Sequence, residues 1–194
     1  MLTQRFEDAL IYATQTHARQ LRKATQIPYV SHLLGVVSLV LEHGGDEDEA
    51  IAALLHDAIE DQGGDARRQD IRARFGERVT EIVDGCTDAE TIPKPPWRKR
   101  KEAYIAHLGE ASPSVRLVSA ADKLHNIRAI IADYRTHGEA LWNRFSGGRE
   151  TLWYYRALSD KFHSVTTESD PPGLHALLKE LECAVADLER LANP

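Results

Sequence analysis

The sequence predicts an all-α fold, a bundle of about eight to ten helices, and three observations support this. Apolar residues recur at helical spacing along nearly the whole chain. No segment shows the sustained alternation of apolar and polar residues that a half-buried strand requires. The chain has 194 residues, of which 42% are hydrophobic, so one core can bury roughly 70% of the unfolded surface. We therefore expect a single domain over residues 1–194.

The first two helices are bounded by recognisable end signals. Helix one is expected from about Thr3, an acceptable N-cap, to Leu21, and a turn at residues 26–29 follows it. Helix two is expected from about Ser31 to the glycine pair at Gly44, because glycine readily adopts the left-handed conformation of a C-terminal cap. These signals predict two helices separated by a turn.

The third helix is predicted to be the central, buried one. Asp46 and Glu49 form a capping pair at its start, and Gly63 ends it. The intervening segment EAIAALLHDAIED is apolar over almost its whole circumference. We therefore expect one continuous helix that is surrounded by others.

Glycine and proline punctuate the rest of the chain. Ser112 and Pro113 provide an N-cap and a first-turn proline for a long apolar helix. A proline-broken segment, DAETIPKPPW, is expected to be a mobile loop. The remaining helices are expected over residues 67–75, 77–87, 97–108, 112–138, about 150–165 and about 173–192.

Composition excludes several classes of protein. A net charge of −6 argues against a general nucleic-acid binder, which needs a basic surface. No stretch approaches the roughly 20 apolar residues of a membrane span, and the N-terminus does not resemble a signal peptide, so a cytoplasmic location is expected. Cys86 and Cys183 are too few and too far apart for a disulfide framework or a thiolate zinc site.

The charges are unevenly distributed. Residues 24–66 contain no lysine or arginine but nine acidic residues. Basic residues instead cluster at 19–23 and at 94–101. A site that joins these segments would suit a metal ion bound beside phosphates.

The motif HDAIED places four ionisable side chains in a helix that is otherwise apolar. His56 and Glu60 lie one turn apart, as do Asp57 and Asp61, so the four form a polar band. Burying unpaired carboxylates costs several kcal/mol each even after relaxation. A divalent cation would compensate that cost.

Two further ligand candidates, His32 and Asp122, stand alone in apolar segments. Together with His56 and Asp57 they form a set of two imidazoles and two carboxylates. Such a mixed nitrogen and oxygen set suits Mn, Fe, Ni or Zn better than Ca or Mg, and the sequence does not choose among the four. A lone histidine on an apolar face is more often a core residue than a ligand, so the metal interpretation depends on the combination. Glu60 and Asp61 can also be read as a solvated helix end.

Four motifs carry a resemblance to a known family. YVSHLLGVV, AALLHDAIED, FGERVTEIVDGCTD and ADKLHNIRAI occur in this order between Phe6 and Ile131. In this order they resemble the HD hydrolase domain of the RelA/SpoT family, in particular its stand-alone small alarmone hydrolases. The resemblance implies an HD-domain helical bundle that removes the 3′-pyrophosphate from ppGpp or pppGpp. It implies a Mn²⁺ ion held by His32, His56, Asp57 and Asp122, and water activation by Glu60 and Asp61.

The resemblance also implies the substrate contacts. Arg22 and Lys23 match an Arg-Lys pair that contacts the base and phosphates in the family, and Asn126 matches an asparagine near the nucleotide. The cluster of Lys99, Arg100 and Lys101 resembles a basic segment near the pyrophosphate, although a solvated helix start explains it as well. Trp153, Tyr154 and Tyr155 are candidates for stacking on a purine or for the core.

Several alternatives remain open at this stage. The same fold can hydrolyse (p)ppApp, a 5′-deoxynucleotide or the phosphate of NADPH. A non-catalytic nucleotide sensor or antitoxin-like module is a rival of a different class, against which the intact Glu60 and Asp61 weigh. We expect a small-molecule nucleotide as the ligand, with no membrane or nucleic-acid partner. The chain is too short for synthetase and regulatory domains, and its oligomeric state, a homodimer included, is left open.

Overall fold

The structure, a computed structural model, describes residues 1–88 and 95–193 and confirms the all-α prediction. Within these ranges the chain forms ten α-helices and two 3₁₀ helices, with no β-strand beyond an isolated bridge between Leu21 and Pro28. The α-helices are α1 (Gln4–Thr16), α2 (Val30–Glu42), α3 (Glu47–Leu55), α4 (Ala58–Gln62), α5 (Gly64–Phe75), α6 (Glu77–Cys86), α7 (Trp97–His107), α8 (Pro113–His137), α9 (Thr151–Val165) and α10 (Pro172–Ala192). The 3₁₀ helices are Gly138–Arg144 and Gly148–Glu150.

The long helix α8 organises the core. It packs against α10 on one side and against α2, α3 and α6 on the other. Its apolar residues, among them Val118, Leu124 and Ile127, are fully buried. The meeting of α2, α3 and α8 places the polar residues of three apolar helices at one point in the interior.

Helix α1 ends at Thr16, so the prediction that it continues to Leu21 is wrong. The chain instead forms a tight loop in which the backbone N–H of Tyr29 donates to the carbonyl of Gln20 at 2.9 Å and that of Arg22 to Ile27 at 2.8 Å. Leu21 is 44% exposed, so extending the helix would have buried little. This loop carries Arg22, which is half-buried, and Lys23, which is exposed.

The third predicted helix is interrupted, which the continuous apolar pattern did not predict. Helix α3 ends at Leu55, and Asp57 has φ −100° and ψ 0°, outside the regular helical geometry, before α4 begins. Consecutive residues of a regular helix point about 100° apart. The break allows the side chains of His56 and Asp57 to face the same point, with Nε2 and Oδ2 3.0 Å apart.

Other end signals behave as the sequence indicates. Asp46 and Glu49 form a complete capping box at the start of α3, and Ser112 caps α8 ahead of Pro113. The two 3₁₀ helices were not predicted. The middle of the proline-broken loop, residues 89–94, lies outside the described residues. In the part of the chain that is described, no helix combines the length and apolar character needed to cross a membrane.

Candidate metal centre and adjoining cleft

Three helices bring four predicted ligands together. His32 lies in the first turn of α2, His56 and Asp57 lie at the break between α3 and α4, and Asp122 lies in the middle of α8. Both histidines and Asp122 are buried, with exposures of 0%, 2% and 6%. Nε2 of His32 lies 3.8 Å from Oδ2 of Asp57 and 3.1 Å from Oδ1 of Asp122. Nε2 of His56 lies 3.0 and 3.7 Å from the same two oxygens.

The two Nε2 atoms are the strongest indication that a cation belongs here. Both are buried, and neither makes a hydrogen bond. A buried polar atom without a partner is costly, and most proteins avoid it. Both nitrogens nevertheless lie within 4 Å of carboxylate oxygens, and a cation bound between nitrogens and oxygens would satisfy them.

The separations between donor atoms fit a single ion. Ligands bound about 2.0–2.2 Å from one ion, at tetrahedral or octahedral angles, lie about 2.8–3.6 Å from one another. The measured separations, 3.0 to 3.8 Å, fall within or just above this range. His32, His56 and Asp57 also offer ligand atoms that all lie within 4.8 Å of one another. The residues present therefore fit a divalent metal ion.

Asp122 is the least available of the four. Its Oδ1 accepts a hydrogen bond from Asn126 at 2.5 Å, and its Oδ2 accepts one from Lys123 at 2.6 Å. It is not a member of the mutually close group of three. Its role as a fourth ligand therefore depends on Oδ1 reaching the ion alongside the amide of Asn126.

Electrostatics favour positive charge between the two carboxylates. Burial lowers the pKa of His32 below its ordinary value. Burial acts in the same direction on His56, but Asp57 and Asp122 outweigh it and hold the pKa of His56 well above its ordinary value. Burial opposes ionisation of both carboxylates, yet His56 holds the pKa of Asp57 low, and Lys123 with the two imidazoles does so for Asp122. A metal ion would take the place that an imidazolium proton otherwise fills.

Neighbouring side chains hold the ligands in place. The hydroxyl of Tyr29 donates a hydrogen bond to Oδ2 of Asp57, and its ring stacks on His17 with centroids 5.3 Å apart. Nδ1 of His56 donates to the carbonyl of Ala53 at 2.8 Å. Such contacts fix the orientation and tautomer of a ligand.

The two candidate catalytic carboxylates point to different neighbours. Oε2 of Glu60 accepts a hydrogen bond from the backbone N–H of Asp88 at 3.3 Å. Oδ2 of Asp61 accepts one from Nε2 of Gln20 at 2.8 Å. Glu60 is thus tied to the segment before α7, and Asp61 to the loop after α1.

A cleft of about 510 Å³ adjoins the cluster of candidate metal ligands. Tyr29, Lys123 and Asn126, which hydrogen-bond to the ligand carboxylates, are part of its lining. Four cations line it, namely Arg22, Lys23, Lys101 and Lys123, against one carboxylate, Asp133, among its described lining residues. The structure thus brings Arg22, Lys23 and Asn126 to one cleft, whose charge suits an anion.

A second chamber of about 250 Å³ shares Lys23, Lys101 and Tyr154 with the first. Arg100 lines it as well. Both Tyr154 and Tyr155 are 5% exposed and line both chambers, so they belong to the core and to the cleft wall together. Trp153 is not among the lining residues.

The three basic residues at the start of α7 differ in their position relative to the cleft. Nζ of Lys101 and Nη1 of Arg100 lie 2.6 and 2.8 Å from Oδ2 of Asp88, so this carboxylate holds both cations at the cleft. Lys99 is exposed and lines neither chamber. The three residues grouped by sequence are therefore not equivalent.

Sequence reasoning missed several residues of the site. Lys123 is adjacent to Asp122 within an apolar helix, a signal that could have revealed it, because a lysine that is partly withdrawn from solvent needs an anion. The contacts of His125, Gln20 and Asp88 had no such signal, since each depends on a partner far away in the sequence.

The helical bundle and the buried cluster of histidine and aspartate are typical of helical proteins that bind a metal ion. The model of a family described as HD domain matches residues 9–153, well over half of the chain. The chain therefore belongs to the HD domain family.

Within this family, similar proteins confirm the resemblance to RelA/SpoT hydrolase domains. The guanosine-3′,5′-bis(diphosphate) 3′-pyrophosphohydrolase MESH1 of Xenopus tropicalis is 38% identical over 124 residues, covering 62% of this chain and 66% of that protein, just under two thirds. The bifunctional (p)ppGpp synthase/hydrolase SpoT of Escherichia coli K12 is 31% identical over 181 residues, 89% of this chain and 24% of that protein. A solved structure described as a metazoan ortholog of SpoT that hydrolyses ppGpp matches with a TM-score of 0.73 at 26% identity, covering 93% of this chain and 95% of that one.

Proposed function

We propose that this protein hydrolyses the 3′-pyrophosphate of guanosine 3′,5′-bis(diphosphate), ppGpp or pppGpp, in a metal-dependent reaction that releases pyrophosphate and GDP or GTP. The observation that carries the proposal is the pair of buried, unpartnered imidazole nitrogens of His32 and His56 beside a cleft lined by four cations. A divalent ion next to cationic side chains is suited to phosphate chemistry. The names of the similar MESH1 and SpoT proteins support the choice of alarmone.

His32, His56, Asp57 and Asp122 would hold the ion. Two imidazoles and two carboxylates suit a borderline transition metal better than Ca²⁺ or Mg²⁺. Among such metals we propose Mn²⁺, the ion that the resemblance to RelA/SpoT hydrolase domains implies. Fe, Ni and Zn fit the same donor set. When bound, the ion supplies a Lewis acid for a phosphate oxygen and lowers the pKa of water.

The reaction breaks the bond between the ribose 3′ oxygen and its phosphorus and forms a bond from water oxygen to that phosphorus. A carboxylate oxygen of Glu60 or Asp61 accepts the proton that the attacking water loses, and the 3′ oxygen gains a proton as it departs. Asn126 and Lys123 line the approach to the cluster and bind polar groups of the nucleotide.

The cationic side chains stabilise the negative charge of the pyrophosphoryl group while it is transferred to water. Lys101 and Arg100 are held at the cleft by Asp88, so little ordering is needed when an anion enters. Fixed cations beside developing negative charge lower the barrier because they need no reorganisation during the reaction. Arg22 and Lys23, on the loop after α1, line the same cleft as Lys101 and contact the nucleotide there.

The test is to strip the metal, add ppGpp or ppApp with Mn²⁺, Fe²⁺, Ni²⁺ or Zn²⁺, and separate the products by anion-exchange chromatography. Metal-dependent release of pyrophosphate with GDP supports the proposal, and the preferred ion follows from the rates. ADP from ppApp at a higher rate would assign the adenine alarmone. If metal is bound and neither compound turns over, another nucleotide is the substrate. Recovery of bound, intact ppGpp in the presence of Mn²⁺ would instead identify a sensor.

A further inference from the structure

The ring of His125 lies against the metal cluster. Its Nδ1 is 2.9 Å from Nδ1 of His32, and the two ring centroids are 4.9 Å apart. Two imidazole nitrogens share a hydrogen bond only when one carries the proton and the other offers a lone pair. One of these two nitrogens therefore donates the hydrogen bond and the other accepts it.

The two buried ligand histidines differ in what their Nδ1 atoms contact. Nδ1 of His56 faces the carbonyl of Ala53. A carbonyl is always an acceptor, so the backbone itself keeps the proton of His56 on Nδ1 and leaves Nε2 free. For His32 the partner is a side chain, and it acts as an acceptor only in one tautomer.

Gly35 explains how the ring of His125 comes so close. A Cβ atom at Gly35 would overlap Cδ2 and Nε2 of the His125 ring. Gly35 lies inside α2 and has no left-handed φ, so its backbone conformation does not require glycine. His32 and Gly35 are three residues apart on one face of α2, which lets a single ring contact both.

We propose that His125 is a positioning residue for the metal site, which accepts the Nδ1 proton of His32 and thereby keeps Nε2 of His32 unprotonated and directed at the cluster. Gly35 provides the space for its ring. The inference rests on the proposed function only in taking His32 as a metal ligand. It concerns metal binding and is independent of the substrate.

The experiment measures binding of Mn²⁺ alone to the metal-stripped full chain, without nucleotide, together with the visible spectrum of the Co²⁺ form. His125→Phe keeps a ring beside Gly35 but offers no acceptor, and we expect Mn²⁺ affinity to fall about 10- to 100-fold. His125→Asn places Oδ1 near the former Nδ1, and we expect affinity to return to within a few-fold of wild type. Gly35→Ala, with His125 intact, displaces the ring and should weaken binding and change the Co²⁺ spectrum.

Two control variants give the results expected for normal and for lost metal binding. His163→Phe removes another imidazole whose Nδ1 contacts a backbone carbonyl, that of Ser159, and it should bind Mn²⁺ normally. His32→Ala should lose binding. Circular dichroism and thermal unfolding of the metal-free variants establish folding, and Gly35→Ala decides the matter if His125→Phe does not fold.

The inference would be overturned if folded His125→Phe bound Mn²⁺ with wild-type affinity and kept the wild-type Co²⁺ spectrum, while His32→Ala lost the metal. If His125→Phe does not fold, the same result in Gly35→Ala would overturn it. Retention of metal by His32→Ala would overturn both the ligand assignment and the inference. If the variants behave as expected but ppGpp is not hydrolysed, only the proposed substrate fails.

Discussion

The carboxylate of Asp57 is the most exposed ligand candidate and the simplest to test at the scale of single residues. Its Oδ2 faces both buried imidazoles. We expect Asp57→Ala to abolish metal binding, because it removes a ligand and leaves His56 without its nearest counter-charge. Glu60→Gln should bind the metal normally but react about 10²- to 10⁴-fold more slowly, because an amide does not accept a proton from water. Metal analysis and single-turnover rates measure the two effects separately.

An acidic residue away from the cluster provides the control. The side chain of Asp65 on α5 is 72% exposed and pairs with Arg68. Asp65→Ala should therefore change neither metal content nor rate. Normal metal content in Asp57→Ala would contradict the ligand assignment, and a wild-type rate in Glu60→Gln would leave Asp61 as the base.

The amide of Gln20 positions Asp61. It donates to Oδ2 of Asp61 at 2.8 Å and accepts at Oε1 from Gln62 and from Nδ1 of His17. Gln20→Glu has nearly the same shape but sets a second carboxylate against Asp61, and like charges at this distance repel. We expect at least a tenfold loss of rate, about 1.4 kcal/mol in barrier, with Mn²⁺ affinity unchanged.

A second glutamine and aspartate pair supplies the comparison for this change. Gln69 donates to Asp65 at 3.2 Å on α5, away from the cluster. Gln69→Glu should leave the rate unaffected. Equal rates for Gln20→Glu and the wild type would show that Gln20 does not act through Asp61.

Some of the candidate metal ligands could be predicted from the sequence for a physical reason. His32 and Asp122 lie in segments that are otherwise mostly apolar, and a polar group in a buried helix needs a partner. That argument identifies which residues need compensation, but not which neighbours supply it. His125 and Gln20 find their partners 93 and 41 residues away, so only the packing of helices reveals them.

At the scale of secondary-structure elements, the break between α3 and α4 shows what periodicity does not predict. The apolar pattern of AALLHDAIED is compatible with a continuous helix, and Asp61 still donates its backbone N–H to the carbonyl of Asp57 at 3.0 Å. The break becomes favourable because it turns His56 and Asp57 towards the same point. Helix ends with local signals, such as the capping box at Asp46, were predictable because their partners are only three residues away.

An ion pair between Arg116 and Asp170 joins the start of α8 to the segment between α9 and α10. Nη2 of Arg116 lies 2.6 Å from Oδ1 of Asp170, and both side chains are buried. The backbone N–H of Thr167 and the guanidinium of Arg116 hold the pKa of Asp170 below its ordinary value of 3.8. Asp170→Asn leaves Arg116 buried without its counter-charge, and we expect it to lower the free energy of unfolding by about 3 kcal/mol near neutral pH.

The same variant has a defined dependence on pH. A carboxylate with a lowered pKa in the folded state stabilises the fold above its unfolded pKa and loses that contribution as pH falls through the folded value. The difference between wild type and Asp170→Asn should therefore be full at pH 5–7 in urea unfolding and shrink below pH 3.8. Asp160→Asn, at a 68% exposed side chain, should show little difference at any pH. A constant difference across this range would mean that the charge of Asp170 is not what stabilises the junction.

At the scale of the whole molecule, the net charge of −6 opposes the approach of an anionic nucleotide, whereas the cleft attracts it. Three of the nine acidic residues of 24–66 are paired with arginines: Asp46 and Asp48 pair with Arg78, and Glu47 pairs with Arg5. The cations at the cleft are arranged differently, since a single carboxylate, that of Asp88, pairs with both Arg100 and Lys101 among the described residues. Among the described residues, positive charge is therefore in excess at the cleft where the proposed nucleotide would bind.

This concentration predicts unequal roles for the lysines at the start of α7. Lys101 lines the cleft with its Nζ 4.8 Å from the centre of the Tyr154 ring, whereas Lys99 is exposed and lies outside the cleft lining. We expect Lys101→Ala to raise KM for ppGpp about tenfold or more, since bonds to charged groups contribute about 1.5–3 kcal/mol. Lys99→Ala should change KM less than twofold.

Wild-type kcat/KM should fall as KCl is raised from 50 to 300 mM, and the slope should be shallower in Lys101→Ala because one cation at the cleft is gone. Equal KM values and equal salt slopes for the two variants would instead mean that the basic segment attracts the nucleotide only as a diffuse field, without a direct contact from Lys101.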